Sequence, residues 1–408
     1  MSIKLFTLGC KVNQAEAEVY REFDTSEDIW IINTCCITSK AESESLSLIR
    51  KLANEKSEKT RLIVTGCLAS IRDFSLSDIG NLEIAPNRDK DCLFEILTNT
   101  SHIITPLPEE LPQKRTRSFI KIQDGCNRRC SYCIVWKARG KSRSHRMSDI
   151  IDCIKNLSQK GLKEVVLTGV CIGSYGRDSG EKESLELLLN LILNETDIQR
   201  IRLSSLDVGD ISDEMIDLLR NNKRICPHLH IPIQSASRKI RRLMNRKGWD
   251  IDIKRFMDEL IENIPDLNIG FDIIAGFPTE KEEDFLETLD LLEKVDFGYL
   301  HVFQYSRRIG TKAAEMENQV PDSVKKERSS IIRNIGMRKK EKFLNRYIGK
   351  KLSILFQSES RNIKGFTTGL SDNYIKTLTP NSIKSGKILE LKIINKKNGY
   401  MLTDLSGG

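Results

Sequence analysis

From residue 117 to about residue 306 the chain switches six times between a short apolar run and a stretch of helical periodicity. The strand candidates are "SFIKIQ", "EVVLTG", "RIRLSS", "HLHIPI", "NIGFDIIAG" and "YLHVFQY". Helical stretches such as "MSDIIDCIKNLSQKG" and "EDFLETLDLLEKV" lie between them. Strands separated by crossovers of that length pair in parallel. Six strand–helix units in sequence predict a parallel barrel or partial barrel, with chemistry at the C-terminal ends of its strands.

The flanks read differently. Up to residue 112 the runs "IKLFTL", "DIWIINTC" and "RLIVTGC" alternate with "AEAEVYREF" and "KAESESLSLIRKLANEK", which predicts a small parallel-sheet α/β domain. "TPLPEELPQKR" gathers three prolines and reads as a linker. Beyond a basic helix, "KLSILFQS", "IKGFTTGL", "YIKTLT", "ILELKIIN" and "GYMLTDL" are short strands between turn residues, which predicts a small antiparallel β-barrel. The expected organisation is an α/β domain over 1–112, a barrel over 113–343 and a small β-barrel over 344–408.

Charge separates the same regions. Residues 323–408 hold nineteen Lys or Arg against six Asp or Glu, while the whole chain carries only +8. A basic C-terminal quarter on a mildly acidic body suggests a polyanion-binding appendage. A solvated charged helix accounts equally well for "VKKERSSIIRNIGMRKKEKF". No segment approaches the roughly 18 apolar residues of a membrane span, and no basic n-region opens the chain. The expectation is a soluble, cytoplasmic protein with no membrane contact.

Eleven cysteines in a reducing compartment are not a disulfide framework. Cys126, Cys130 and Cys133 occupy "DGCNRRCSYC", in the loop after the first barrel strand, where three side chains can bend toward one point. Thiolates suit zinc or iron–sulfur clusters. Structural zinc closes its tetrahedron with four protein ligands, and no fourth Cys or His stands nearby. Three ligands on a four-iron cluster leave one iron open to bind a small molecule. Cys10, Cys35 and Cys67 each end a predicted strand; in a parallel sheet those ends share one edge, so a second three-thiolate cluster is expected there. Cys36 then points to the opposite side from Cys35. Cys92, Cys153 and Cys226 read as structural, and Cys171, beside a barrel strand end, stays undecided. Thr168 and Gly169 in "LTGVCIGSYG" and Gly276 in "IAGFPTEKEEDF" offer backbone that a ligand can approach, although ordinary loop and cap chemistry explains them as well.

The C-x-x-x-C-x-x-C spacing with Tyr132 before its last cysteine resembles the radical S-adenosylmethionine (SAM) enzymes. With "LGCKVNQ", "INTCCIT", "ARGKSRS", "CPHLHIPIQSAS" and "HVFQYS", nearly the whole chain resembles the methylthiotransferases of that superfamily. The resemblance implies a radical SAM partial (β/α)6 barrel, an N-terminal methylthiotransferase domain and a TRAM-like C-terminal barrel. It implies two 4Fe-4S clusters, one on Cys126, Cys130 and Cys133, the auxiliary one on Cys10, Cys35 and Cys67. Tyr132, Thr168, Gly169 and Gly276 would lie at the SAM site. "LGCKVNQ" and "QDGC" are most similar to the branch that acts on N6-threonylcarbamoyladenosine at position 37 of tRNA. Trp136 and Lys137 stand where Pro-Tyr is usual.

The implied reaction attaches a methylthio group to carbon 2 of that base, with one SAM as methyl donor and one as radical source. That C–H bond is not acidic, so a side-chain base could not usefully activate it and a radical route is expected. The implied partners are the tRNA anticodon stem-loop, held by the basic helix and C-terminal barrel, and a low-potential electron donor such as flavodoxin or ferredoxin. A monomer is expected; the sulfur source stays unknown. Two substrates compete within the family, isopentenyladenosine-37 tRNA and a ribosomal-protein aspartate. A non-catalytic iron–sulfur RNA-binding redox sensor is the alternative of a different class.

Overall fold

The computed structural model describes residues 3–22, 27–72, 82–87, 93, 107–112, 116–178, 183–360, 363–380 and 383–404. Four strands, β1 (Lys4–Thr7), β2 (Ile29–Thr34), β3 (Arg61–Gly66) and β4 (Glu83–Pro86), form a parallel sheet in the order β1-β2-β3-β4. β2 and β3 are almost wholly buried, as strands covered on both faces must be. Helices α1 (Lys11–Tyr20), α2 (Ser39–Glu55) and α3 (Cys67–Ile71) each follow a strand of this sheet. Thr38 caps α2 by accepting the Ala41 N–H at 3.2 Å.

The middle of the chain carries the six expected parallel strands: β5 (Arg117–Asp124), β7 (Glu164–Gly169), β8 (Arg200–Leu203), β9 (His228–Gln234), β10 (Asn268–Ala275) and β11 (Tyr299–Gln304). A short antiparallel strand, β6 (Arg143–Ser144), is added beside β5. The ladders β5-β7-β8 and β9-β10-β11 meet across a looser seam, held by the bridges Ile201↔Ile225 and Ser205↔His230. Alternation divides the strand residues. Ile120, Ile122, Val165, Leu167, Ile231 and Phe271 join the helices in one large core. On the other face Phe119 and Val166 pack instead against Ala15 of α1, so the N-terminal domain is seated on the barrel's inner wall.

The last long helix, Asp322–Asn345, lies against β11 and the helix Glu282–Lys294. Its cations are largely engaged within the chain. Arg328 donates to Glu280 (2.6 Å) and Glu282 (2.9 Å), Arg338 pairs with Glu293, and Lys339 donates to the Val295 carbonyl at 2.9 Å. The expectation that this helix offers its charge to a polyanion then falls on its exposed cations, among them Lys326, Arg333 and Lys340.

Five strands follow: β12 (Lys351–Glu359), β13 (Phe366–Ser371), β14 (Lys376–Pro380), β15 (Ile388–Lys397) and β16 (Tyr400–Asp404). They close as β12-β13-β14-β16-β15. Four pairings are antiparallel and β14–β16 is parallel. An odd number of strands cannot close with every neighbour antiparallel, which corrects the purely antiparallel expectation. This small barrel docks on the N-terminal ends of the large barrel's strands. Arg202 donates to the Asp372 (2.7 Å) and Ser371 (3.1 Å) carbonyls, Asn268 to the Asn373 carbonyl (2.7 Å), and Tyr374 stacks on His228 at 4.3 Å.

Candidate metal centre

The N-terminal triad is built by the strand ends. Gly9 and Gly66 precede Cys10 and Cys67 at φ 89° and 95°, a region that side chains other than glycine rarely adopt. A Cβ on Gly9 would stand 2.7 Å from Cys35 Cβ, and one on Gly66 only 2.4 Å from the Thr34 carbonyl oxygen. The chain therefore turns tightly after β1 and β3, and both cysteines face the end of β2. Asn13 fastens the edge by donating to the Leu8 (2.8 Å) and Thr34 (2.9 Å) carbonyls. Ser45 of α2 grips Cys35, accepting its N–H at 3.1 Å and donating to its carbonyl at 2.9 Å. Cys10 stands at the N-cap position of α1, with no side-chain capping hydrogen bond. Burial raises Cys10 and Cys35 first, and Cys67 adds to both while Cys10 adds to Cys35, so the three thiols lie within electrostatic range. Cys36 does not turn away as expected. Its thiol hydrogen-bonds to Cys67, because β2 ends at Thr34 and strand alternation does not extend past it.

The second triad lies in the loop between β5 and the helix Val135–Arg139, as predicted. The loop is pinned by Cys126 N–H to the Gly140 carbonyl and Ser131 N–H to the Met244 carbonyl, both 3.0 Å. Its sulfurs accept hydrogen bonds: Cys126 from Arg128 N–H (3.5 Å), Cys133 from Val135 N–H (3.4 Å) and Cys130 from Arg246 (3.8 Å). Such donors favour bound thiolates and tune a cluster. Arg246 also donates to the Tyr132 hydroxyl (3.3 Å) and pairs with Asp207 (2.6 Å), which pairs with Arg128 (2.7 Å).

A buried charge network joins the two triads. Arg139 donates to Glu16 Oε1 (3.0 Å), to Asp124 Oδ1 (2.9 Å) and to Asn13, while Lys121 donates to Glu16 (3.0 Å) and Asp124 (3.3 Å). Ile134 and Ala138 share a core with Cys36, Cys67 and Leu68. Asn87 donates to the Ala138 carbonyl at 3.2 Å. Ile134 follows Cys133 and packs in one core with Cys67, so the two triads adjoin across the junction.

The donor sets fit iron–sulfur clusters. Burial pushes Cys35 up to about 11 and Cys133 to about 12, and raises Cys10 as well. At neutral pH none of these is a thiolate nucleophile in its own right. A soft cation removes the proton on binding, so buried thiols in threes suit ligation better than covalent catalysis.

Of the remaining predicted residues, Cys171 touches the second triad and the others lie at strand ends or in the core. Thr168 and Gly169 end β7 and Gly276 follows β10, all at strand C-termini. Thr168 Oγ1 is buried and makes no hydrogen bond among the described residues. Gly276 packs under Lys325. Cys171 lies against Cys126, which holds it down at about 7 by hydrogen bonding, and 3.2 Å from Ser174 Oγ. Cys153 and Cys226 are buried, Cys153 donating to the Pro108 carbonyl at 3.2 Å. Cys92 lies outside the described residues. Sequence reading missed Arg139, Arg246 and Asp207. Arg139 stands in the "ARGKSRS" motif, but nothing local gives its role or marks Arg246 and Asp207, since each acts through a partner at least 39 positions away.

Two family models match, that of the radical SAM superfamily over residues 120–292 and that of uncharacterized protein family UPF0004 over residues 2–83. The chain is 32% identical to the threonylcarbamoyladenosine tRNA methylthiotransferase MtaB of Rickettsia prowazekii, covering 98% of this chain and 96% of that one. It is 34% identical to a tRNA-2-methylthio-N(6)-dimethylallyladenosine synthase of a Thermoanaerobacter species, covering 98% and 91%. Among solved structures, the radical SAM methyltransferase TsrM of Kitasatospora setae superposes with a TM-score of 0.52 at 13% identity, over 74% of this chain and 73% of that one. This last likeness is one of fold.

Proposed function

This chain belongs to the radical SAM tRNA methylthiotransferases, and on that premise we propose that it attaches a methylthio group to C2 of N6-threonylcarbamoyladenosine-37 in tRNA. The observation that carries the reading is the pairing of two cysteine triads across one junction. Cys126, Cys130 and Cys133 would hold a 4Fe-4S cluster that, with SAM, supplies a carbon-centred radical; Cys10, Cys35 and Cys67 would hold a second that supplies sulfur. The chain's own residues place these centres. Gly9 and Gly66 aim the first triad, Arg246 and the Arg128 and Val135 amides orient the second, and the Arg139 network fixes their separation. Cys35, Cys67 and Cys130 are buried and the other three cysteines half-buried, which would limit water where a reactive radical forms. Tyr132 in the cysteine loop, with Thr168, Gly169 and Gly276 at strand ends, would contact SAM.

The relatives of both tRNA branches are about equally similar, so the threonylcarbamoyl assignment rests on the "LGCKVNQ" and "QDGC" motifs. Nucleoside analysis of tRNA from cells lacking the protein tests it. Loss of the methylthio-threonylcarbamoyladenosine peak is the expected result; loss of the isopentenyl product instead would reassign the substrate.

The tRNA itself would bind partly through the small barrel. Lys351 and Lys392 are exposed and directly opposite each other on β12 and β15, and Lys397 is exposed further along β15. Like charges directly opposite destabilise a sheet, so their juxtaposition favours a polyanion. Changing Lys351, Lys392 and Lys397 together to Gln should weaken tRNA binding and flatten the plot of log K against log salt by roughly one unit per lost phosphate contact. Formation of 5′-deoxyadenosine without tRNA should not change. An unaltered salt slope would remove this face from the interface.

A further inference from the structure

Outside both cysteine triads, three ligand-type side chains meet on adjacent strands. His230 of β9, Asp272 of β10 and His301 of β11 bring one donor atom each to within 4.8 Å of the others. Asp272 Oδ1 lies 3.0 Å from His230 Nε2 and 3.1 Å from His301 Nδ1. We propose that these three residues form a binding site for a divalent first-row transition ion, distinct from the iron–sulfur centres.

The spacing fits. Two ligands about 2.1 Å from one ion, at angles between octahedral and tetrahedral, stand roughly 3.0–3.4 Å apart. A donor set of two imidazoles and one carboxylate, with no sulfur, selects zinc or ferrous iron over the cluster chemistry of the cysteines. Three protein ligands leave positions open, and the site has an entrance, since the His301 side chain is 56% exposed while His230 is 9% exposed. Strands hold such ligands more firmly than loops do.

The surroundings supply the support that metal-bound imidazoles need. His230 Nδ1 lies 3.1 Å from the Tyr299 hydroxyl, and His228 Nε2 lies 2.8 Å from the same oxygen. A metal-bound His230 would donate its Nδ1–H to the Tyr299 oxygen, which His228 also contacts. Tyr299 is fixed for this task by Gly270, since a Cβ there would stand 2.0 Å from its ring. An outer shell of this kind accompanies most ligating histidines.

The test uses the whole protein with both clusters loaded, under anaerobic conditions, dialysed against Zn2+ and separately titrated with Co2+. The expected result is one tightly held Zn2+ per chain, and a Co2+ spectrum without thiolate charge-transfer bands. Both should be lost, with binding weakened at least tenfold, in Asp272→Asn and in His301→Ala. Iron content should stay unchanged in the two variants. His301→Ala alters a half-exposed position and guards against a folding defect in the other. Zinc uptake equal in wild type and both variants, or none in wild type, would overturn the site and leave a hydrogen-bonded trio. Neither outcome bears on the tRNA product, so the proposal fails independently of the methylthiotransferase reading.

Discussion

The double variant Cys36→Ala/Cys67→Ala is expected to lose tRNA methylthiolation while still cleaving SAM to 5′-deoxyadenosine. Cys67 opens α3 and is 2% exposed, facing Cys10 and Cys35 at the sheet edge. Removing a ligand should cost more than the roughly 10–100-fold that follows loss of an outer-shell partner. Cys36 complicates the single substitution, because its thiol already touches Cys67 and can stand in as a donor. Cys67→Ala alone should therefore keep some activity, and the double variant almost none. Iron per chain should fall by half in the double variant, since the Cys126, Cys130 and Cys133 loop is held by contacts of its own. Full iron together with undiminished product would refute the N-terminal cluster. Loss of both products would instead mean that the two centres assemble as a unit.

Arg139→Met should be the most destabilising single change at the domain junction. Arg139 and Lys121 balance Glu16 and Asp124, and all four side chains are at most 3% exposed. Asp124 ends β5, Glu16 sits on α1, and Arg139 closes the helix after the cysteine loop, so the network ties three elements from two domains. Removing one cation leaves a buried excess negative charge, and breaking such a pair costs about 3–5 kcal/mol. A fall in Tm on the order of 10 °C is expected for a unit of this size. Glu16→Gln added to Arg139→Met restores the balance, so the double variant should recover part of the loss. The same variant should uncouple the two half-reactions, producing 5′-deoxyadenosine with little methylthiolated tRNA. An unchanged Tm would show that apolar packing of Ile134 and Ala138 alone joins the domains.

Much of this was legible in the chain. The two-residue and helical periods between residues 117 and 306 gave strands within a residue or two of β5, β7 and β9 to β11, because period decides which face a side chain takes. Cys10, Cys35 and Cys67 could be assigned to one edge for the same reason, since parallel strands align their ends. β4 was missed; "EIAP" is short and ends in proline, which gives no alternation to read.

What the sequence by itself determined was the layer order, the strand ends and therefore the two places where thiols collect. Tertiary structure alone decided that those places face each other through Arg139, and that the small barrel closes the floor of the large one through Arg202. It also decided that Lys325, Arg328 and Lys339 of the helix Asp322–Asn345 turn inward, and that His230, Asp272 and His301 converge. The reason is physical. Periodicity is a local property of the backbone, whereas a buried charge takes whatever partner the packing of distant elements brings within 3 Å, and no spacing along the chain encodes that meeting.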